Sequence, residues 1–136
     1  MNCIEAIKTR DMWVWIEEWQ MQCCGEPFEV GDDVQWTAEK WTFGDPGIPG
    51  LNEVDLYYEN HGDDGISVIF GKVKEIFMVY RTYKLDPAEN KYYPDLGKIV
   101  KKNGQADGWE ESQGEYRFSA YFVCLENVRI ESGDVI

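Results

Sequence analysis

The sequence contains a single histidine, His61, among its 136 residues. A lone imidazole excludes every mechanism that needs two histidines, including the zinc signatures in which two histidines bind the metal. The chain also lacks a Walker phosphate loop, a dinucleotide-binding glycine pattern and a nucleophile elbow. Because no catalytic motif is present, we expect the protein not to be an enzyme.

Positive charge is scarce in this chain. It has 13 Lys and Arg against 26 Asp and Glu, which gives a formal net charge of -13. Nucleic-acid affinity comes largely from basic side chains that displace counterions, and anionic membranes attract basic segments. We therefore expect neither nucleic acid nor membrane as a partner. A basic protein or peptide is compatible with this charge, and so is an acidic surface that serves only solubility.

Long apolar runs are also missing. No stretch reaches the roughly 20 apolar residues of a membrane helix, and residues 1–10 lack the apolar region of a signal peptide. These absences predict a cytoplasmic protein whose cysteines are reduced thiols. Four cysteines are too few for a disulfide scaffold in a chain of this length. They are Cys3, Cys23, Cys24 and Cys124.

Aromatic residues are abundant, at 15% of a chain that is 43% hydrophobic. This apolar content is sufficient for one core, and the length fits a single domain over residues 1–136. Large rings bury much area per residue and favour a compact sheet interior. Five of the six tryptophans fall between Met12 and Trp41. They are Trp13, Trp15, Trp19, Trp36 and Trp41.

Period-two alternation predicts strands over residues 34–41, 54–59 and 116–125. The last of these is apolar on both faces, as in a central strand buried on two sides. The run 66–85 indicates two strands, or one long strand bent at Gly71, because glycine inside a strand often marks a bulge.

Two segments are ambiguous or weakly patterned. Strand and helix periods compete over residues 12–21, and aromatic and β-branched enrichment favours the strand. Residues 1–11 are expected to form a weakly ordered lead-in with at most a helical turn. Residues 86–115 are expected to form a long, mobile loop, with a short helix over 95–102 capped by Asp95.

Together these segments predict five to seven strands and at most two short helices. Short strands separated by Gly and Pro turns predict a mainly β fold. The expected architecture is a small, partly open antiparallel β-barrel of the SH3-like or OB-like type.

Residues 15–28 contain the string Trp-Gln-Met-Gln-Cys-Cys-Gly followed by Pro27-Phe28. This segment resembles the opening of a small bacterial family of unknown function. His61-Gly62 and residues 71–76 are also similar to that family. Since the family carries no assigned activity, the resemblance implies a grouping and no catalytic residues.

The adjacent Cys23 and Cys24 are the most unusual dipeptide in the sequence. Thiolates and imidazole bind zinc and softer metals, so a site with His61, and with Cys124 as a further ligand, is one interpretation. Adjacent cysteines on an extended chain point apart, which argues against a shared zinc ion. Burial of one cysteine in the core is the second interpretation, and a redox pair is the third.

Two kinds of surface group remain. Paired acids such as Glu17-Glu18 are interpreted as a solvated face, because so many carboxylates are present. Trp41, Tyr57 and Trp109 are candidates for a recognition surface, since Trp and Tyr are enriched at binding hot spots. Trp109 lies in a polar stretch and is predicted to be exposed.

These observations favour a non-catalytic acidic β-barrel module that binds a protein or peptide, with a basic partner expected. We expect no cofactor. The alternative is a metal- or thiol-dependent protein that uses Cys23, Cys24 and His61, for which zinc would be the cofactor. A third hypothesis is an inhibitor or immunity-type protein that neutralises a basic target.

Overall fold

The computed structural model describes residues 5–7, 10–51, 53–59 and 66–132. Within them the chain is mainly β, as predicted, with one short helix. No helix in these ranges is long and apolar enough to cross a membrane. The elements are β1 (Glu5–Ile7), β2 (Met12–Glu17), α1 (Glu18–Cys24), β3 (Asp33–Lys40), β4 (Leu56–Tyr58), β5 (Ser67–Asp86), β6 (Lys91–Lys101) and β7 (Arg117–Ser132).

The strands form one sheet in the order β1-β7-β2-β4-β3-β5-β6, and β7 also pairs with β5. Five strands, β7, β2, β4, β3 and β5, are therefore joined in a closed ring of hydrogen bonds, which we call the ring. Strands β1 and β6 extend the sheet beyond it. The small closed sheet matches the expected architecture. One detail differs, because β2 and β4 run parallel, and alternation in a sequence carries no information on strand direction.

The main core lies inside the ring. Alternate residues of β2, β5 and β7 point inwards and are fully buried, in keeping with the period of two. Burying one such aliphatic side chain stabilises the fold by about 1.5–3 kcal/mol. The central members are Val14, Ile16, Ile76, Val123 and Leu125.

A second, smaller core covers the outside of the same strands. Trp15, Val79 and Phe122 point away from the ring interior and are buried all the same. Residues 41–51, 53 and 54 lie over them and contribute Ile48 and Leu51. Strand β7 is thus buried on both faces, as its sequence predicts.

Strand β5 is one continuous strand of 20 residues, so the second of the two interpretations of residues 66–85 is correct. Its register to β7 shifts between Phe70 and Lys72, around Gly71. A Cβ atom at Gly71 would lie 3.2 Å from the Cβ of Leu125. Glycine therefore allows the two strands to approach closely at the bulge.

The long loop expected over residues 86–115 is wrong in its first half, where the structure has β6. The short helix expected over residues 95–102 is wrong for the same reason, because 95–101 belong to this strand. Pro94 concealed this strand in the sequence. It lies where the β5–β6 register shifts, on a strand at the edge of the sheet. Proline is tolerated at such a position because its missing N–H breaks no central ladder bond.

Residues 12–21 follow both competing patterns in turn, since β2 ends at Glu17 and α1 begins at Glu18. The helix is fixed by burial of Met21 and Gln20, whose Nε2 donates to the Tyr58 carbonyl at 2.9 Å. The strand interpretation is therefore wrong for the second half of the segment.

The expected helical turn in residues 1–11 is also wrong where the chain is described. Residues Glu5–Ile7 form β1 and pair antiparallel with Arg129–Glu131 of β7. A three-residue strand has too little alternation to be recognised from its sequence. Within β7, Asn127 has a positive φ of 55°.

The loop 102–116 closes one end of the ring. Glu110 accepts hydrogen bonds from Lys102 Nζ at 2.9 Å and from the Tyr121 hydroxyl at 2.5 Å. Burial, followed by the bond to Glu110, raises the pKa of Tyr121 well above its usual range. The hydroxyl thus stays protonated and keeps donating, which holds the loop against the ring.

Candidate functional site

A cleft of about 940 Å³ opens between the β2–α1 junction, the β5–β6 hairpin and the start of β7. We call it the cleft. It has an acidic wall, a basic wall and an aromatic rim. The residues that line it are Trp15, Glu17, Glu18, Trp19, Arg81, Tyr83, Tyr92, Ser112, Gly114, Glu115, Arg117, Phe118 and Ser119.

The acidic wall is built where β2 ends and α1 begins. Glu17 occupies the N-cap position with an extended backbone, and its side chain makes no capping bond. The carboxylate instead accepts a hydrogen bond from the Trp15 indole N–H. Burial, followed by the charge of Glu17, raises the pKa of Glu18. Two neighbouring carboxylates therefore share a partly desolvated corner of the cleft.

The basic wall is built by two arginines on adjacent strands. Arg81 of β5 and Arg117 of β7 lie directly opposite each other in the antiparallel register. Arg81 donates from Nη2 to the Pro46 carbonyl at 3.2 Å. Its guanidinium carbon also lies 5.6 Å from the centre of the Trp15 ring, within cation–π range. Arg81 is thus held in one position while Arg117 is exposed.

Aromatic side chains form the rim of the cleft. Trp19 of α1 is 51% exposed and Tyr92 of β6 is 69% exposed. Tyr83 reaches across the strands, with its hydroxyl 3.3 Å from Ser119 Oγ. Large exposed rings around a polar cavity are typical of binding surfaces.

Two of the predicted recognition residues, Trp41 and Tyr57, are brought together next to the cleft. Their ring centres lie 6.2 Å apart, and both contact Phe43, which is 59% exposed. We call these three rings the aromatic patch. Trp41 also contacts the buried Trp15, at 5.4 Å between centres, and Trp15 lines the cleft. Burial, followed by the charge of Glu17, raises the pKa of Tyr57.

The third predicted recognition residue lies elsewhere. Trp109 is 67% exposed, as expected for a polar stretch. It belongs to the loop 102–116, which is tied to α1 by a 2.8 Å hydrogen bond from Gln22 Nε2 to the Gly108 carbonyl. The structure therefore does not join Trp109 to the aromatic patch.

The predicted metal ligands are only partly described. Cys23 and Cys24 are exposed in the last turn of α1 and form a disulfide with each other, so the prediction of reduced thiols is wrong for this pair. The two side chains do not point apart as predicted, because Cys23 and Cys24 lie in a helix and not on an extended chain. His61 lies outside the described residues. Within the described ranges, no group of three or more His, Cys, Asp or Glu could hold a metal ion.

Cys124 does not join the cysteine pair at α1. It is buried on the outer face of β7, opposite Trp13 and Glu75 in the strand register. Burial, followed by the nearby charge of Asp11, raises the pKa of Cys124 to about 12. A thiol held protonated in this way is a poor metal ligand, since the thiolate is the form that binds.

Residues 10–127 match the model of a family described as Family of unknown function (DUF6578). The chain belongs to this family. The match includes every residue that lines the cleft and the whole of the aromatic patch. No curated protein and no solved structure matches the chain. The grouping indicated by the Cys-Cys-Gly segment is thus confirmed, and membership in DUF6578 assigns no activity.

Three features of this DUF6578 site were missed in the sequence. Tyr92 lies in the stretch expected to be a loop, and Glu17-Glu18 was interpreted as a solvated face. The pairing of Arg81 with Arg117 depends on strand register across the ring. Register is a non-local property, so no signal near either arginine could have revealed their proximity.

Proposed function

We propose that this DUF6578 chain is a non-catalytic module that binds a peptide or protein segment and takes one of its basic groups into the cleft. The observation that carries the proposal is the partly desolvated carboxylate pair Glu17-Glu18 beside the exposed ring of Trp19. A ligand cation relieves the repulsion between the two carboxylates. It also gains a cation–π contact of about 0.5–2 kcal/mol where it lies over an aromatic face.

The aromatic patch supports a ligand longer than one residue. Trp41 packs on the buried Trp15, which lies at the base of the cleft, so the aromatic patch is adjacent to the cleft. Apolar side chains of a bound segment would cover these rings, and aromatic anchors of this kind dominate the binding energy of many interfaces.

The overall charge of the chain supports the same class of partner. A net charge of -13 attracts basic proteins and increases their rate of encounter. It disfavours nucleic acids and anionic membranes. The proposed location is the cytoplasm, and an inhibitor of a basic target would use the same surface.

The proposal is tested by titrating labelled peptides that contain Lys or Arg, and neutral peptides in which citrulline or norleucine replaces them, at low and high salt. We expect the basic peptides to bind more tightly and to weaken with added salt. The double variant Glu17→Gln/Glu18→Gln should weaken binding at least about tenfold, corresponding to roughly 1.4 kcal/mol.

The matched control is Glu26→Gln/Glu29→Gln, which removes the same charge from exposed positions outside the cleft. This control should leave the affinity within about twofold, a difference below roughly 0.5 kcal/mol. Equal affinity for basic and neutral peptides, or equal loss in both double variants, would refute the proposal.

A second candidate function is thiol or metal chemistry at Cys23 and Cys24, which we propose with His61 as a further ligand. It is favoured by the exposure of both cysteines and by the disulfide between them, which is the oxidised form of a redox pair. Metal binding at this pair would require reduction of the disulfide to two thiolates. Elemental analysis of the purified protein, combined with thiol counting, tests it. Metal-free protein with four independently reactive thiols would remove this candidate.

A further inference from the structure

Two of the four arginines of the chain have acidic partners. Arg10 Nη2 lies 2.9 Å from a carboxylate oxygen of Asp55. Arg129 Nη2 lies 3.6 Å from a carboxylate oxygen of Glu131, and its guanidinium packs over the Phe70 ring. In a chain with twice as many acids as bases, such pairing is the expected state of a guanidinium.

The other two arginines differ. Arg81 and Arg117 form no ion pair with the residues that the structure describes, although Glu17, Glu18 and Glu115 line the same cleft. They instead face each other across adjacent strands. Like charges directly opposite in an antiparallel pair destabilise a sheet. An arrangement that costs stability and leaves guanidinium donors free is typical of an anion-binding position.

The surroundings of the two arginines are suited to an anion. The Pro46 carbonyl and the Trp15 ring hold the Arg81 guanidinium in place, and only one of its five N–H groups is used there. The register between β5 and β7 shifts beside them, between Val79 and Tyr80, which leaves Ser119 as the extra residue on β7. Bulges often re-aim side chains next to functional sites.

We propose that Arg81 and Arg117 bind a carboxylate group of the peptide that occupies the cleft. The inference rests on the proposed function and names the second charged group of its ligand. The flat guanidinium fork matches the two oxygens of a carboxylate. A phosphate carries nearly twice the negative charge, and the three glutamates of the cleft would repel it more strongly.

The ligand is therefore a bipolar segment. Its basic group lies towards Glu17 and Glu18, and its carboxylate lies towards Arg81 and Arg117. The carboxylate is supplied either by the C-terminus of the partner or by an Asp or Glu side chain. Both sources present the same group to the cleft, and the experiment separates them.

The first test uses NMR of the arginine side chains, because four Nε–Hε signals can be assigned by single substitutions. N-acetyl-tyrosine is titrated in parallel with N-acetyl-tyrosine amide, which lacks the carboxylate. We expect the acid, and not the amide, to shift the signals of Arg81 and Arg117 while that of Arg10 stays in place. Equal shifts with both compounds, or shifts confined to other arginines, would overturn the inference.

The second test compares three versions of one basic peptide. They carry a free C-terminus, a C-terminal amide, and a C-terminal amide with an internal Glu. Tighter binding of the first version assigns the carboxylate to the C-terminus, and tighter binding of the third assigns it to a side chain. If the amide alone binds as tightly as both, the inference fails while the proposed function stands.

The variants Arg117→Gln and Lys40→Gln separate a specific contact from a change in net charge. Lys40 is exposed at the end of β3, outside the cleft. We expect Arg117→Gln to weaken the carboxylate peptide at least about tenfold and to leave the amide peptide unchanged. Arg117→Lys should restore part of the loss. Equal effects of both Gln variants would contradict the carboxylate contact.

If basic and neutral peptides bind alike, the proposed function fails. A response of Arg81 and Arg117 to N-acetyl-tyrosine would then still support a carboxylate site in the cleft. The two failures are therefore distinguishable.

Discussion

The inner and outer faces of β5 and β7 differ in what covers them. The inner face is enclosed by strands on every side of the ring, and its aliphatic side chains are fully buried. Among the described residues, 41–51, 53 and 54 cover part of the outer face, and beyond them this face carries the arginines of the cleft. The same two strands thus supply stability on one side and the candidate site on the other.

This comparison indicates how one small sheet combines a rigid scaffold with an open site. The ring is closed by backbone hydrogen bonds between strands, so no loop is needed to close it. The outer core depends on a segment with three glycines and two prolines, from Gly44 to Gly50. Such a segment adjusts more easily than a strand, so we expect the outer core to tolerate change better than the inner core.

The largest expected effect comes from breaking the inner core with Leu125→Ala. Leu125 is fully buried inside the ring, where closed strands leave little room for collapse around a cavity. The free energy of unfolding should fall by about 3–5 kcal/mol, the upper part of the range for buried leucines. Urea denaturation measures it. A loss of less than about 2 kcal/mol would show that the ring relaxes freely.

The same substitution in the outer core, Leu51→Ala, gives the matched comparison. Leu51 is also buried, at 3% exposure, but it lies on the covering segment. We expect a loss of about 2 kcal/mol, since the segment can move inwards and reduce the cavity. Equal losses of stability in Leu51→Ala and Leu125→Ala would contradict the expectation that the outer core tolerates change better than the inner core.

A smaller effect is expected from Gly97→Ala on β6. The added Cβ would lie 2.9 Å from Ile48 Cγ1, so the covering segment must shift. The stability should decrease by about 1–2 kcal/mol through overpacking. In the background of Ile48→Ala the same change should cost much less. Additive losses in this double-mutant cycle would show that the two residues do not interact.

The smallest effect concerns pH and the outer face of β7. Burial raises the pKa of Cys124 from 9.0 to about 12, so the folded state holds the proton more tightly than the unfolded state does. The contribution of the protonated Cys124 thiol to the free energy of unfolding is fully present below pH 9 and is lost as the pH rises from 9 to 12. In Cys124→Ala, the melting temperature should fall less steeply with pH above pH 9 than in the unsubstituted protein, as measured by thermal unfolding. An unchanged slope would contradict the burial of this thiol.

Much of the scaffold follows from short-range pattern. Alternation identified β3 and the two-sided burial of β7, and Gly71 marked the position where the register of β5 to β7 shifts. It failed at β6, where Pro94 obscured an edge strand, and at α1, where the change from strand to helix falls within one aromatic run. These failures share a cause, because each element is stabilised by contacts that lie far away in the sequence.

The candidate site was less predictable than the scaffold. Trp41 and Tyr57 were identified from residue type alone, and Phe43 joins them only through tertiary contact. Arg81 and Arg117 are neighbours because the ring sets their register. A binding surface assembled across strands therefore carries almost no local signature, whereas the core beneath it does.

The position of β7 at the end of the described chain has a consequence for synthesis on the ribosome. Met12 pairs with Leu125, and β5 also needs β7 for closure. Until that last strand leaves the exit tunnel, β2 and β5 each lack a neighbour and expose apolar side chains. We expect the ring to stay open until β7 has been synthesised and has left the tunnel.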